Sequence, residues 1–123
     1  MIQGSIRVAV NGYGVIGKRV AAAVRLQADM ELAGIADVAT DYRVKAAIAG
    51  GARVFAATEE SVQEMHDADV PAEGTIEDLL SVADVVVDCT PKGVAAGNLE
   101  RYRSSGVKAI FHGGEKHSLT GHS

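Results

Sequence analysis

The sequence Gly12-Tyr13-Gly14-Val15-Ile16-Gly17, near the start of the chain, matches the pattern G-x-G-x-x-G. Because the chain has 14 glycines in 123 residues, the pattern is weak by itself. Its context strengthens it, since Ile6 to Val10 is predicted as a strand and Val15 to about Ala28 as an amphipathic helix. A strand, a glycine turn and a helix in this order are typical of a dinucleotide-binding unit.

Each residue of this turn has a physical task in such a unit. Gly12 permits the tight turn, Gly14 lets a pyrophosphate approach the backbone, and Gly17 lets the helix pack closely on the sheet. The N–H groups of Val15 and Ile16, at the helix start, can bind phosphates. A glycine-rich turn without a ligand is the alternative. The cofactor-binding residues predicted here are Asn11, Gly12, Tyr13, Gly14, Val15, Ile16 and Gly17.

The rest of the chain alternates apolar runs with segments of helical period, as expected for βαβ units. Further strands are predicted at residues 31–36, 53–57, 84–89 and 108–112, and helices at 41–49, 59–69, after Thr75, and 93–105. The run Val85-Val86-Val87 lacks alternation, so its strand is predicted to be fully buried. We expect an α/β, Rossmann-like doubly wound parallel sheet of about five strands, in the order 3-2-1-4-5, over residues 1–114. Residues 115–123 are predicted to be a polar tail.

Asp37 ends the second predicted strand, 20 positions after Gly17. A carboxylate there can accept hydrogen bonds from the adenosine ribose and would repel a 2′-phosphate, which favours NAD over NADP. Arg43 and Lys45 argue in the opposite direction, because these basic residues could bind the 2′-phosphate and so allow NADP as a cofactor. The alternative role of Asp37 is a cap in the turn before Asp41.

Two further segments follow predicted strands at the same edge of the sheet. Thr90 and Pro91 come after the fourth strand, and we expect them beside the adenosine half of the cofactor. Gly113 and Gly114 come after the fifth strand. Ordinary strand-ending turns are the alternative for both segments.

Composition excludes several classes of function. The net charge of −4 argues against a nucleic-acid surface. The chain has no apolar run long enough to span a membrane and no signal-peptide pattern, so a cytoplasmic location is expected. His112, His117 and His122 recur every five residues, a spacing that puts them on no common face. No metal site is therefore predicted.

Four blocks of the sequence resemble the archaeal-type phosphorylating glyceraldehyde-3-phosphate dehydrogenases. They are residues 8–20, 74–80, 86–91 and 106–116, in family order and spacing over nearly the whole chain. The resemblance implies a tetrameric enzyme of glycolysis or gluconeogenesis that oxidises an aldehyde to an acyl phosphate with NAD or NADP. It also implies that Val15, Ile16 and Gly114 contact the cofactor.

The chain departs from that family in two ways. Asp37 stands where the family often has a basic or hydroxyl residue, which supports NAD. The family's nucleophilic cysteine belongs to a Ser-Cys-Asn-Thr-Thr block that these 123 residues lack, so no catalytic residue is predicted. Cys89 is interpreted as a small core residue, because no histidine stands next to it in the sequence.

We therefore expect the cofactor-binding portion of such a dehydrogenase, inert alone, with the catalytic domain absent. Its expected partners are the dinucleotide, the missing catalytic domain and further copies in a homo-oligomer. One alternative is a free-standing nucleotide-binding or sensing module without catalysis. Another is the start of a different Rossmann oxidoreductase, such as an amino-acid-pathway reductase, against which the block Gly113-Gly114-Glu115-Lys116 argues.

Overall fold

The computed structural model describes residues 5–38 and 42–111, apart from the side chains of residues 42, 43, 92 and 93. The strands of this part are β1 (Ile6–Asn11), β2 (Met30–Asp37), β3 (Val54–Ala56), β4 (Val85–Asp88) and β5 (Lys108–Phe111). The helices are α1 (Val15–Arg25), α2 (Tyr42–Ala49), α3 (Glu59–Asp67), α4 (Ile76–Leu80) and α5 (Lys92–Ser105). The strands form one parallel sheet in the order β3-β2-β1-β4-β5, which confirms the predicted class and strand order.

Helices cover both faces of the sheet. Ala9 and Val10, which are neighbours in β1, belong to two different buried clusters. The cluster around Val10 includes side chains of α1, α2 and α3, whereas the cluster around Ala9 includes Leu79 of α4 and Tyr102 of α5. The core therefore has a layer on each face of the sheet, built mainly from aliphatic residues.

Two predicted helices end earlier than expected. In α1, the N–H groups of Leu26 and Gln27 bond the carbonyl groups three residues before them, so the last turn tightens and the helix stops at Arg25 instead of Ala28. In α3, Asp69 has a φ of 62°, and the helix stops at Asp67. The predicted start of α4 is confirmed, since Thr75 is its N-cap.

The prediction that β4 is fully buried is wrong. Val86 is completely buried against α4 and α5, but Val85 and Val87 are only partly buried. Val87 pairs with Ile110 of β5, which is 55% exposed. Within residues 5–38 and 42–111, α1 to α3 pack over β1, β2 and β3 and leave this side of β4 and β5 largely uncovered. In the same part of the chain, no helix is long and apolar enough to cross a membrane.

Replacing Leu79 with Ala is expected to lower the free energy of unfolding by about 2–5 kcal/mol, because the side chain is completely buried and its removal leaves a cavity. Leu26→Ala is the matched control. That side chain is 84% exposed, so its loss should change stability by less than about 0.5 kcal/mol. Urea unfolding of both variants measures the difference, and equal losses would contradict the described core.

Candidate functional site

The glycine turn joins β1 to α1 at the carboxyl edge of the sheet, and backbone packing requires its glycines. Gly12 has a φ of 94°, and a Cβ there would lie 3.0 Å from the carbonyl carbon of Cys89 and from the nitrogen of Thr90. A Cβ at Gly17 would overlap the carbonyl oxygen of Gly12. The turn is therefore pressed between α1 on one side and the segment after β4 on the other.

The start of α1 opens onto this edge. Gly14 is the N-cap and offers no side-chain cap, and the first turn contains no acidic residue. The first helical hydrogen bond runs from the N–H of Lys18 to the carbonyl of Gly14, at 2.9 Å. The first N–H groups of a helix have no acceptor within it and carry partial positive charge. Val15, the first residue of α1, is 67% exposed, so the start of the helix lies at the protein surface.

Asp37, at the end of β2, lies beside the turn. Its Oδ2 accepts a hydrogen bond from the N–H of Tyr13 at 2.6 Å, and its Oδ1 accepts one from the N–H of Val38 at 2.7 Å. These donors hold the partly exposed carboxylate at the strand-end edge. Asp37 thus contacts the turn itself, and Asp41, where the alternative role as a cap would act, lies outside the described residues.

Beneath the turn lies a buried polar cluster that sequence reasoning missed, centred on Asp88 at the end of β4. Oδ1 of Asp88 accepts hydrogen bonds from the N–H of Thr90, at 2.9 Å, and from the Thr90 hydroxyl. Its Oδ2 accepts from Nδ2 of Asn98, at 3.1 Å, and from the Tyr102 hydroxyl. That hydroxyl in turn accepts from Nδ2 of Asn11, at 2.8 Å. We call these five residues the Asp88 cluster.

The Tyr102 hydroxyl stays a proton donor in this setting. Burial raises its pKa well above the ordinary tyrosine value, and the hydrogen bond to Asp88 raises the pKa further. One sequence signal could have indicated the cluster. Asn98 and Tyr102 are four residues apart, so they share one face of α5, and that face meets an acidic strand end.

The other predicted site residues lie as follows. Thr90 is buried against Gly12, and Pro91 is exposed and caps the start of α5. Lys45 is exposed on α2. Outside the described residues lie Gly113, Gly114, the histidines at 112, 117 and 122 and the tail, as does the side chain of Arg43. Among the described residues, no group of three or more His, Cys, Asp or Glu side chains could hold a metal ion.

Cys89 is partly buried and packs at the border of the cluster around Val10. Burial raises the pKa of its thiol to about 11, and the charge of Asp88 adds to the effect. A thiol with this pKa is almost entirely protonated near neutral pH, which is the reverse of what a nucleophilic cysteine needs.

Alkylation of Cys89 by iodoacetamide is expected to be slow at pH 7.5. A rise in pKa from 9.0 to about 11 lowers the thiolate fraction roughly a hundredfold. The rate should climb steadily from pH 8 to about pH 11, while free glutathione, the control thiol, levels off earlier. A rate that reaches its plateau below pH 9 would contradict the described environment of Cys89.

Comparison with known proteins agrees with this geometry. Residues 6–113 match the family model described as dihydrodipicolinate reductase, N-terminus. The glyceraldehyde-3-phosphate dehydrogenase of Methanothermobacter thermautotrophicus is 49% identical over 116 residues, which are 94% of this chain and 34% of that protein. The enzyme of the same name from Methanothermus fervidus is 44% identical over 114 residues, 93% of this chain and 34% of that protein. The chain thus spans about a third of the length of these curated relatives.

Two solved structures share the fold. One is the WlbA dehydrogenase from Bordetella pertussis, in complex with NADH and UDP-GlcNAcA, with a TM-score of 0.63 and 25% identity over 87% of this chain and 28% of that chain. The other is a myo-inositol dehydrogenase from Corynebacterium glutamicum, with a TM-score of 0.60 and 26% identity over 87% of this chain and 27% of that chain. The predicted resemblance to archaeal-type glyceraldehyde-3-phosphate dehydrogenases is confirmed by the curated relatives. By its match over residues 6–113, the chain belongs to the family of the dihydrodipicolinate reductase N-terminus.

Proposed function

We propose that this chain binds a nicotinamide dinucleotide at the carboxyl ends of β1, β2 and β4, as the cofactor-binding portion of a phosphorylating glyceraldehyde-3-phosphate dehydrogenase. The observation that carries the proposal is a single juxtaposition. The open start of α1, the glycine turn and the carboxylate of Asp37 meet at one edge, with the N–H of Tyr13 bonded to Asp37. In open α/β sheets, ligands bind outside the carboxyl ends of the strands where the strand order reverses.

The pyrophosphate is expected at the start of α1. The N–H groups of Val15 and Ile16 can donate to its oxygens, and the helix dipole favours its negative charge. Gly12 and Gly14 leave the backbone open to a close approach. Asn11 supports the turn from below through its hydrogen bond to Tyr102.

The adenosine ribose is expected at Asp37. Hydrogen bonds from the N–H groups of Tyr13 and Val38 orient the partly exposed carboxylate at the edge where the ribose is expected. Its negative charge would lie close to the 2′-phosphate of NADP and repel it. NAD is therefore the preferred cofactor, and Arg43 and Lys45 are the residues that would offset this preference.

The nicotinamide half is expected to extend toward Thr90 and Pro91. Strand β4 lies on the opposite side of β1 from β2, and Asp37 ends β2. A dinucleotide with its adenosine at Asp37 and its pyrophosphate at α1 would therefore continue toward β4. This assignment differs from the sequence expectation, which set Thr90 beside the adenosine half. Gly114 stays a predicted contact.

The reaction rests on the relatives, which are glyceraldehyde-3-phosphate dehydrogenases. In such an enzyme the bound dinucleotide supplies the hydride acceptor while an aldehyde is oxidised to an acyl phosphate. The 123 residues contain no Ser-Cys-Asn-Thr-Thr block, and the raised pKa of Cys89 disfavours a thiolate. We infer that catalysis needs the part of the relatives' length that this chain does not span. The cytoplasmic location and the homo-oligomer remain predictions.

A second candidate is the cofactor domain of a reductase, because the matching family model is named after dihydrodipicolinate reductase. The curated relatives favour the dehydrogenase, at 44–49% identity over more than nine-tenths of this chain. A free-standing binding module is the remaining alternative. All three use the same dinucleotide site, so a binding experiment tests the feature that they share.

Calorimetric titration of the 123-residue chain is expected to show NAD binding at least about tenfold tighter than NADP binding, the scale of like-charge repulsion near a protein surface. Asp37→Asn removes the charge while keeping a hydrogen-bond acceptor, so it should narrow the ratio of the two dissociation constants. Asp29→Asn is the matched control. Asp29 is exposed, precedes β2 at the opposite edge of the sheet, and its loss changes the net charge equally.

Binding of neither dinucleotide by the wild-type chain would refute the proposed function. An unchanged NAD to NADP ratio in Asp37→Asn would refute the role given to Asp37. If NADP binds more tightly than NAD, the cofactor preference would be assigned to Arg43 and Lys45 instead of Asp37.

A further inference from the structure

We propose that Asp88 is a positioning residue for the dinucleotide site: through Thr90, Tyr102 and Asn11 it locks the segment after β4 to the glycine turn. The inference rests on the proposed function, because that function gives both segments a ligand to share. Asp88 itself is completely buried and lies below the surface that the ligand would touch.

Because Asp88 is buried, its carboxylate needs hydrogen-bond donors of the protein in fixed positions. A buried carboxylate is costly unless hydrogen bonds replace its hydration. Both oxygens of Asp88 accept two hydrogen bonds each, from Thr90 on one side and from Asn98 and Tyr102 on the other. Moving Thr90 away would remove two of these bonds at once, so the segment after β4 has little freedom.

The glycine turn is also connected to the Asp88 cluster. Asn11, the residue before Gly12, donates to the hydroxyl of Tyr102, and its carbonyl accepts a hydrogen bond from the N–H of Cys89 at 2.8 Å. The backbone of Gly12 packs directly on Cys89 and Thr90. A Cβ added to Gly12 would lie 3.0 Å from the carbonyl carbon of Cys89 and 3.0 Å from the nitrogen of Thr90. A shift of either segment is therefore transmitted to the other through contacts and hydrogen bonds.

The amide of Asn98 is held in one orientation by a partner on its other side. Its Oδ1 accepts a hydrogen bond from Arg101 at 3.0 Å, which leaves Nδ2 to donate to Asp88. Arg101 also forms an ion pair with Glu77 of α4, at 2.7 Å. The Asp88 cluster thus joins the ends of β1 and β4 to α5, and the ion pair of Arg101 links it to α4.

This arrangement predicts a specific pattern of affinities. A ligand that ends at the pyrophosphate, such as ADP, contacts Asp37 and the start of α1 only. A full dinucleotide also reaches Thr90, so its affinity depends on the relative position of the two segments. Loosening the cluster should therefore weaken NAD binding while leaving ADP binding nearly intact. A general loss of stability should instead change the affinities for NAD and ADP by similar factors.

The test is Tyr102→Phe in the 123-residue chain, which removes the hydroxyl that joins Asp88 to Asn11. The hydrogen bonds of this hydroxyl to Asp88 and from Asn11 are both lost. Calorimetry is expected to give a dissociation constant for NAD about tenfold higher, and one for ADP within about twofold. Asn98→Ala removes another donor to Asp88 and should shift the ratio in the same direction. The control is Ile76→Val, which trims a completely buried side chain of the core on the same face.

Amide hydrogen exchange without ligand separates this inference from the proposed function. Tyr102→Phe should speed exchange of the Thr90 and Cys89 N–H groups about tenfold or more relative to Ile76→Val. If exchange speeds up but the wild-type chain binds no dinucleotide, the coupling of the two segments stands and the proposed function falls. If Tyr102→Phe leaves either the exchange rates or the NAD to ADP affinity ratio equal to those of Ile76→Val, the positioning role of Asp88 is overturned.

Discussion

Close backbone contacts at the glycine turn determine how the strands and helices meet at the candidate site. Helix α1 can start where it does only because Gly17 places no side chain against the carbonyl of Gly12. Gly12 in turn lies directly against Cys89 and Thr90. These two contacts bring β1, α1 and the segment after β4 to one point, and they direct the positive end of the α1 dipole toward the carboxyl edge of the sheet.

Two carboxylates at this edge have opposite roles, and their surroundings explain the difference. Asp88 is completely buried, and four hydrogen-bond donors of the protein satisfy it. Asp37 is partly exposed and is oriented by the backbone N–H groups of Tyr13 and Val38. The buried carboxylate therefore organises the protein, whereas the partly exposed one is the carboxylate that we propose for the ligand.

The sheet was predictable from sequence because its signals are local. Alternating strands and helices, the glycine pattern and the cap at Thr75 each depend on residues within a few positions of one another. The Asp88 cluster was not predictable in this way, because Asn11 and Tyr102 are 91 positions apart and no pattern shows which polar residues face inward. The partial exposure of Val87 was missed for a similar reason. Burial of a strand depends on which helices pack over it, and the sequence of the three valines does not indicate which helices these are.

We propose that a dinucleotide lies across the glycine turn from Asp37 to Thr90. The most direct measurement is a two-dimensional amide NMR spectrum of the ¹⁵N-labelled 123-residue chain, recorded during titration with NAD. Saturable shifts are expected at the N–H groups of residues 12–17, at Val38 and at Thr90, with little change at Asp29 on the opposite edge. Shifts confined to other surfaces, or a spectrum that stays unchanged at millimolar NAD, would contradict it.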